Sequence, residues 1–238
     1  LFSSLPVLCY PGYEIPPYTP LSPDSSTTAS RLSTLYRVLS TKGQFILISS
    51  SEALLRRILP VQILDELADL VIRGEDTDQH GLVQSLVRKG YEQVSLVQNS
   101  GEFAVRGGII DLYPPPFAAE EAAIDAPVRL DFFGETIESI RYFDPITQRS
   151  IKEVDEAIFL PVSDTLFPDP ASVDYQNIVD TFDQEGKQRN WDYQQKNTIR
   201  EKIKTRTPFP GIEFFLPLFY EKLSAPTDIL PQDTIVFS

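Results

Sequence analysis

The chain has 238 residues, with 34 Asp or Glu against 21 Lys or Arg, so its net charge at pH 7 is −13. A surface this acidic repels phosphate backbones and argues against duplex DNA as a direct ligand. One cysteine and one histidine exclude an internal disulfide and a typical His/Cys metal cluster, and no run of about 18 apolar residues indicates a membrane span. We therefore expect a soluble, cytoplasmic protein, and the missing initiator before Leu1 suggests a piece of a longer one.

Residues 1–68 alternate strand-like and helix-like stretches. Apolar runs at 5–10 and 45–48 predict two strands, the second of them buried, and five prolines between 11 and 23 predict an unpaired loop. Ser50 and Ser51 predict the cap of a second helix that extends to Leu59. The first helix is predicted from an apolar stripe, Leu32, Leu35, Tyr36 and Leu39. This alternation predicts a parallel sheet, and so an α/β domain truncated at its N-terminus.

Residues 69–160 have a different pattern. Asp78 predicts a helix cap, Gly90 predicts the end of that helix, and Leu82, Val83, Leu86 and Val87 are predicted to face inward. After residues 94–98 a run of strands is predicted, with turns at 99–101, 107–108 and 134–135. The pattern predicts an α+β domain, in which one helix covers an antiparallel sheet whose other face is open to water. Residues 114–126 are predicted to form a long loop within it.

Residues 161–238 are predicted to be helical from about 170 to 205 and then rich in proline and aromatic side chains. Val173, Ile178, Val179 and Phe182 are candidate core positions. We expect this segment to return to the first domain, and the stretch 207–220 to pack across another domain.

No catalytic residue is predicted. The chain lacks a phosphate-binding loop, and the glycines between 101 and 108 lie in a meander rather than at a strand-to-helix turn. His80 is interpreted as a solvated residue and Cys9 as a small core residue. The carboxyl groups of Glu120, Glu121 and Asp131 lack the burial that acid–base catalysis needs. We expect no cofactor.

The strand at 128–133 suggests a binding surface. Alternation puts Arg129, Asp131 and Phe133 on the face opposite the core, and Arg106 can share that face. Arginine and aromatic side chains are enriched at binding hot spots. Alternatively, both arginines pair with Asp111, Asp131 or Glu138 across strands, and Phe133 packs beneath the loop at 114–126. The pattern alone leaves both interpretations open.

Two blocks carry a specific resemblance: GEFAVRGGIIDLYP at 101–114 and VRLDFFGETIESIRYFDPITQR at 128–149. They resemble the module that the excision-repair helicase UvrB shares with transcription-repair coupling factors (Mfd), which in both families binds UvrA. Residues 18–23, 30–35 and 210–219 resemble the flanking segments of the coupling factors. The tyrosine-rich hairpin with which UvrB clamps DNA has no counterpart here, and this favours the coupling factors.

The resemblance implies a UvrB-like arrangement, with a truncated RecA/helicase-like domain beside the UvrA-binding domain. It matches Arg106, Arg129 and Phe133 to UvrA-contacting positions. It further implies a bacterial, non-enzymatic module, because ATP with magnesium, DNA translocation and the RNA polymerase contact belong to other segments of the family's proteins. A fragment of UvrB and a purely structural domain remain the alternatives.

Overall fold

The computed structural model describes residues 5–65, 68–115 and 125–237. Within these ranges, as predicted, the fold mixes helices with strands, and the strands form several sheets. Glu120, Glu121 and most of the loop predicted at 114–126 lie outside the described residues. No helix in the described ranges is long and apolar enough to cross a membrane.

The first region contains two strands in parallel register, as the alternating pattern predicted. Asp24 caps its long helix by accepting a hydrogen bond from the Ser26 backbone, and Ser50 caps the next helix through Ala53. Two parallel strands do not define a RecA-like domain, so that part of the fold stays a prediction. The elements are β1 (Val7–Tyr10), α1 (Ser25–Ser40), β2 (Ile46–Ser49), α2 (Ser51–Leu55) and α3 (Val61–Asp65).

Three details of this region differ from the predictions. Cys9 is exposed rather than in the core, because β1 alternates and turns Leu8 and Tyr10 inward instead. Helix α2 ends at Leu55, short of the predicted Leu59. The second strand is not buried, since Ile48 is 56% exposed.

The second region is built on a six-stranded sheet in the order β4-β5-β6-β7-β8-β9. All neighbouring pairs are antiparallel except β4 with β5. The run of strands was predicted to follow residues 94–98, but the sheet also includes a two-residue strand before them, β4. The strands are β4 (Glu92–Gln93), β5 (Glu102–Arg106), β6 (Ile109–Leu112), β7 (Val128–Phe133), β8 (Thr136–Phe143) and β9 (Ser150–Val154).

Helix α4 (Gln79–Arg88) belongs to the same core as one face of this sheet. Asp78 caps the helix as predicted, by accepting from the His80 backbone, and Gly90, at φ 86°, follows its end. Leu82 and Leu86 are buried, but Val87 is 56% exposed, against the prediction. A separate antiparallel pair, β3 (Asp69–Ile72) and β10 (Glu156–Phe159), contributes to the same core.

The last region returns to the first. Its helices are α5 (Tyr175–Gln188), α6 (Tyr193–Thr205) and α7 (Leu216–Phe219). The aromatic stretch before and within α7 packs on α5 and α6 in one cluster. Leu216 also joins the core of the first region, and Ser224 forms a β-bridge with Ile58. The domain boundaries placed near residues 68 and 160 stay predictions.

Candidate interaction surface

The outer face of the six-stranded sheet carries the predicted site residues. Cross-strand register aligns Ala104, Asp111, Arg129 and Arg141 in one row across β5 to β8. The next outward positions along β5 and β7 are Arg106 and Asp131, and Phe133 ends β7. We call this set the arginine face: Ala104, Arg106, Asp111, Arg129, Asp131, Phe133 and Arg141.

Asp111 organises the middle of the arginine face. Its side chain has no exposed area, yet it accepts hydrogen bonds from two arginines. Arg129 donates to both carboxylate oxygens, from Nε at 2.6 Å and from Nη2 at 2.9 Å. Arg106 donates to the same carboxylate through Nη2. Because charge-assisted bonds of this fork geometry are directional, the Arg129 guanidinium is held at a fixed position, and a single charge-assisted bond ties Arg106 to the same carboxylate.

The two arginines remain partly accessible although they are paired. The Arg106 side chain is 46% exposed and that of Arg129 is 18% exposed. The Arg129 guanidinium lies 4.7 Å from the centre of the Phe143 ring, which supports it from below. The hydrogen bonds to Asp111 raise the pKa of Arg129 above its usual value, so this group carries its charge at any physiological pH.

A second pair lies beside the first and was missed from the sequence. Arg141 donates to Asp131, which also accepts a hydrogen bond from Ser139 at 2.6 Å. Arg129 and Arg141 are direct cross-strand neighbours, an arrangement that is repulsive unless carboxylates separate the charges. Each of the two arginines is instead paired with its own carboxylate, Arg129 with Asp111 and Arg141 with Asp131, and this balance of charge explains how three arginines share one small surface.

Phe133 is the exposed apolar residue of this face. It is 79% exposed and pairs across the hairpin with Thr136. Gly134, at φ 66°, allows the tight turn between β7 and β8, so the ring is carried on a short, regular hairpin. The exposure predicted from strand alternation is confirmed. Leaving such a ring in water forfeits about 1.5 to 3 kcal/mol of burial.

The other end of the face is not open to water. Val97, Ala104 and Phe143 are fully buried there in a small second core, against which Val94 and Tyr113 pack. Gln148 donates to the Val97 carbonyl at 3.3 Å, which ties the turn after β8 to this core. The expectation of an open sheet face therefore holds for the Arg106 and Phe133 end only.

Both interpretations left open by the sequence are partly realised. The arginines do pair with an aspartate, Asp111, as the structural alternative supposed. They nevertheless keep surface that a partner can reach, and the Phe133 ring is 79% exposed. Whether the three residues contact a partner stays a prediction.

The positions considered for catalysis have ordinary surroundings. His80 is exposed, with its ring Nε2 2.8 Å from the Gln84 amide nitrogen. Asp131 is engaged by Arg141 and Ser139. Among the described residues no group of three or more His, Cys, Asp or Glu side chains has metal-binding geometry.

A different arginine–aspartate cluster lies inside the molecule, between the first and last regions. Arg31 is 1% exposed and pairs with Asp164, with Nε 3.2 Å from the carboxylate. Its guanidinium lies 4.4 Å from the ring centres of both Tyr10 and Tyr13. It also donates to the Pro11 carbonyl at 2.7 Å. We call these residues the buried arginine cluster.

Comparison with known proteins identifies the second region. Residues 71–164 match the model of the UvrB interaction domain. The chain is 33% identical over 98% of its length to the transcription-repair-coupling factor of Haemophilus influenzae, and 30% identical over 99% to that of Escherichia coli K12. Over 68% of its length it is 39% identical to the Myxococcus xanthus factor. The chain spans 13% to 19% of the length of these proteins. The identity over nearly the whole chain confirms its resemblance to a segment of the coupling factors.

Proposed function

We propose that this chain, a segment homologous to transcription-repair-coupling factors, binds UvrA through three residues of the arginine face, Arg106, Arg129 and Phe133. The carrying observation is the exposed ring of Phe133 on the same sheet face as two guanidinium groups that are held by hydrogen bonds. An aromatic ring and arginines on rigid strands form the kind of surface on which a few side chains supply most of the binding energy. The residues also coincide with the UvrA-contacting positions implied by the family resemblance.

In this proposal the chain has no catalytic task. It acts as the recruiting module of a larger protein, which displaces a stalled RNA polymerase through other segments and hands the damaged DNA to excision repair through UvrA. ATP hydrolysis and DNA translocation are assigned to those other segments. Because its net charge is −13, we expect this chain by itself to bind duplex DNA only weakly.

Two alternatives account less well for the observations. A UvrB fragment shares the interaction domain, but the three relatives described above are coupling factors. A purely structural domain does not account for the exposed Phe133 ring lying on the same sheet face as two arginines that are held by hydrogen bonds, whereas a docking surface does.

The test is a calorimetric titration of the purified chain with UvrA. We expect a saturable complex that Phe133→Ala weakens. Tyr193→Ala is the matched control, because Tyr193 is an equally exposed ring (72%) on α6, away from the sheet. A wild-type chain that fails to bind UvrA, or a control variant as damaging as Phe133→Ala, would contradict the proposal.

A further inference from the structure

Asp111 stands out because it is a carboxylate with no exposed area at the centre of a partly exposed surface. A partner docking on the arginine face cannot reach it. Its two oxygens are already occupied, one by Arg129 Nε and the other by Arg129 Nη2 and Arg106 Nη2. Any effect of Asp111 on recognition must therefore act through the two arginines.

The two arginines come from different strands and meet only at this carboxylate. Arg106 ends β5 and Arg129 is the second residue of β7, while Asp111 lies on β6 between them. A free arginine side chain has many rotamers, and each one immobilised on binding costs affinity. The shared carboxylate fixes both side chains before a partner arrives.

The orientation of each guanidinium also follows from this contact. Arg129 turns its Nε edge and one terminal nitrogen toward Asp111 and rests on the Phe143 ring. Arg129 Nη2 also donates to Gln148 Oε1 at 3.5 Å, so among the described residues the N–H groups of Nη1 are the ones left for another acceptor. Since a guanidinium has five donors in a rigid plane, fixing one edge fixes the direction of the others.

We propose that Asp111 is a positioning residue, which joins Arg106 and Arg129 into one preorganised cationic unit for the partner. This inference rests on the proposed binding of UvrA by the same face. It adds that the two arginines act together rather than as independent contacts. It also assigns a recognition role to a buried residue that no partner touches.

Asp131 offers a matched comparison. It is the same residue type on the same face. Asp131 accepts hydrogen bonds from Arg141 and Ser139, whereas Asp111 accepts them from Arg106 and Arg129. If general electrostatics of the face controlled binding, removing either negative charge would strengthen or weaken it alike. If positioning controls binding, only Asp111 matters strongly.

The first experiment compares Asp111→Asn with Asp131→Asn in titrations against UvrA, with thermal unfolding of each variant. We expect Asp111→Asn to weaken binding by about tenfold or more, although most of the chain remains folded at the titration temperature. We expect Asp131→Asn to weaken binding by less than about threefold. Equal losses for the two variants, or wild-type affinity for Asp111→Asn, would overturn the inference.

A second experiment leaves Asp111 in place, so it decides the question even if Asp111→Asn does not fold. Arg106→Ala, Arg129→Ala and the double variant form a thermodynamic cycle of UvrA affinity. Residues that act as a unit are non-additive, so we expect the double variant to lose clearly less than the product of the two single losses. Losses that multiply would show independent contacts and refute the unit.

A third readout needs no UvrA, and so separates failure of this inference from failure of the proposed function. In nitrogen-15 NMR spectra of the free chain, we expect the Arg129 Nε–H to exchange slowly with water in the wild type and rapidly in Asp111→Asn. An Arg129 signal that exchanges rapidly in the wild type would show that the carboxylate does not hold this side chain. Slow exchange combined with no UvrA binding would instead leave the positioning intact and refute the proposed function.

Discussion

The buried arginine cluster and the arginine face use the same residue types with opposite burial. In the cluster the arginine is inside, with Arg31 1% exposed and its partner Asp164 nearer the surface at 12%. On the face the aspartate is inside, with Asp111 at 0% and Arg106 reaching water at 46%. Which member of the pair is buried decides whether the guanidinium stabilises the fold or remains available to a partner.

The surroundings of the two sites agree with this difference. Arg31 lies against two tyrosine rings and donates to Asp164 and to a backbone carbonyl, so its guanidinium is engaged within the chain. Arg129 rests one face on Phe143. The pair of Arg31 with Asp164 links α1 to the segment that leaves the second region, whereas Asp111 and its arginines all belong to one sheet.

The largest expected effect is on the buried arginine cluster. Arg31→Ala leaves Asp164 without its partner and empties the space between Tyr10 and Tyr13, so we expect a loss of about 3 to 5 kcal/mol in unfolding free energy. Urea denaturation measures it. Arg37→Ala, on the same helix in its last turn, is the control and should cost less than about 1 kcal/mol. Similar losses for both variants would mean that the cluster does not stabilise the fold.

Glu213 lies beside this cluster, in a small cavity lined also by Tyr13, Arg56 and Asp164. Burial raises its pKa from 4.5 to about 7, so the folded chain holds the proton more tightly than the unfolded chain. The contribution of Glu213 to the unfolding free energy is therefore fully present below pH 4.5 and is lost as the pH rises through 7. Other carboxylates act in the opposite sense at low pH, so the comparison needs a variant.

Glu213→Gln isolates this contribution. The variant cannot ionise, so we expect it to gain on the wild type by about 2 kcal/mol between pH 5 and pH 8, a value discounted for partial exposure. Thermal unfolding at both pH values measures the difference. Glu221→Gln, on the exposed segment after α7, should show no such trend. A constant difference between Glu213→Gln and the wild type across pH would contradict the shift.

Arg129→Ala should reduce both the stability of the chain and its affinity for UvrA. The variant removes two of the hydrogen bonds to the buried Asp111, so we expect a stability loss of about 1 to 2 kcal/mol in addition to a loss of about 2 kcal/mol or more in UvrA affinity. Arg106→Ala should weaken binding similarly with a smaller stability loss, because Arg106 is the more exposed. Calorimetric titration and thermal unfolding of both variants test this, and a larger stability loss for Arg106→Ala would reverse our assignment.

Local patterns were enough to predict the elements that present the site. Alternation along β7 predicted the outward position of Phe133, and the two-residue turn containing Gly134 predicted the hairpin that carries it. Asp78 predicted the start of α4. These features depend on neighbours within a few residues, which a single sequence displays.

The features that could not be predicted depend on tertiary register. Asp111 was recognised as a possible partner, but its sharing by two arginines follows from β6 lying between β5 and β7. Arg31 was overlooked, because an arginine on an amphipathic helix is usually solvated and its partner Asp164 is 133 positions away. Cys9 is a different case, since the alternation of Leu8 and Tyr10 would have indicated that it faces outward.

The smallest expected change in stability is at Phe133, and it gives the sharpest form of the comparison. Because the ring is 79% exposed, Phe133→Ala should alter the unfolding free energy by no more than about 0.5 kcal/mol. Phe143→Ala removes the same ring from the same sheet face, but there it is fully buried beneath Arg129, so about 3 to 5 kcal/mol should be lost. In titrations with UvrA we expect Phe133→Ala to cost about 2 kcal/mol of affinity, since an exposed ring on a rigid hairpin gains its burial only in a complex. Chemical denaturation and calorimetry on the two variants test both halves. A Phe133→Ala variant that loses stability like Phe143→Ala, or keeps wild-type affinity, would show that the exposed ring is not the recognition element.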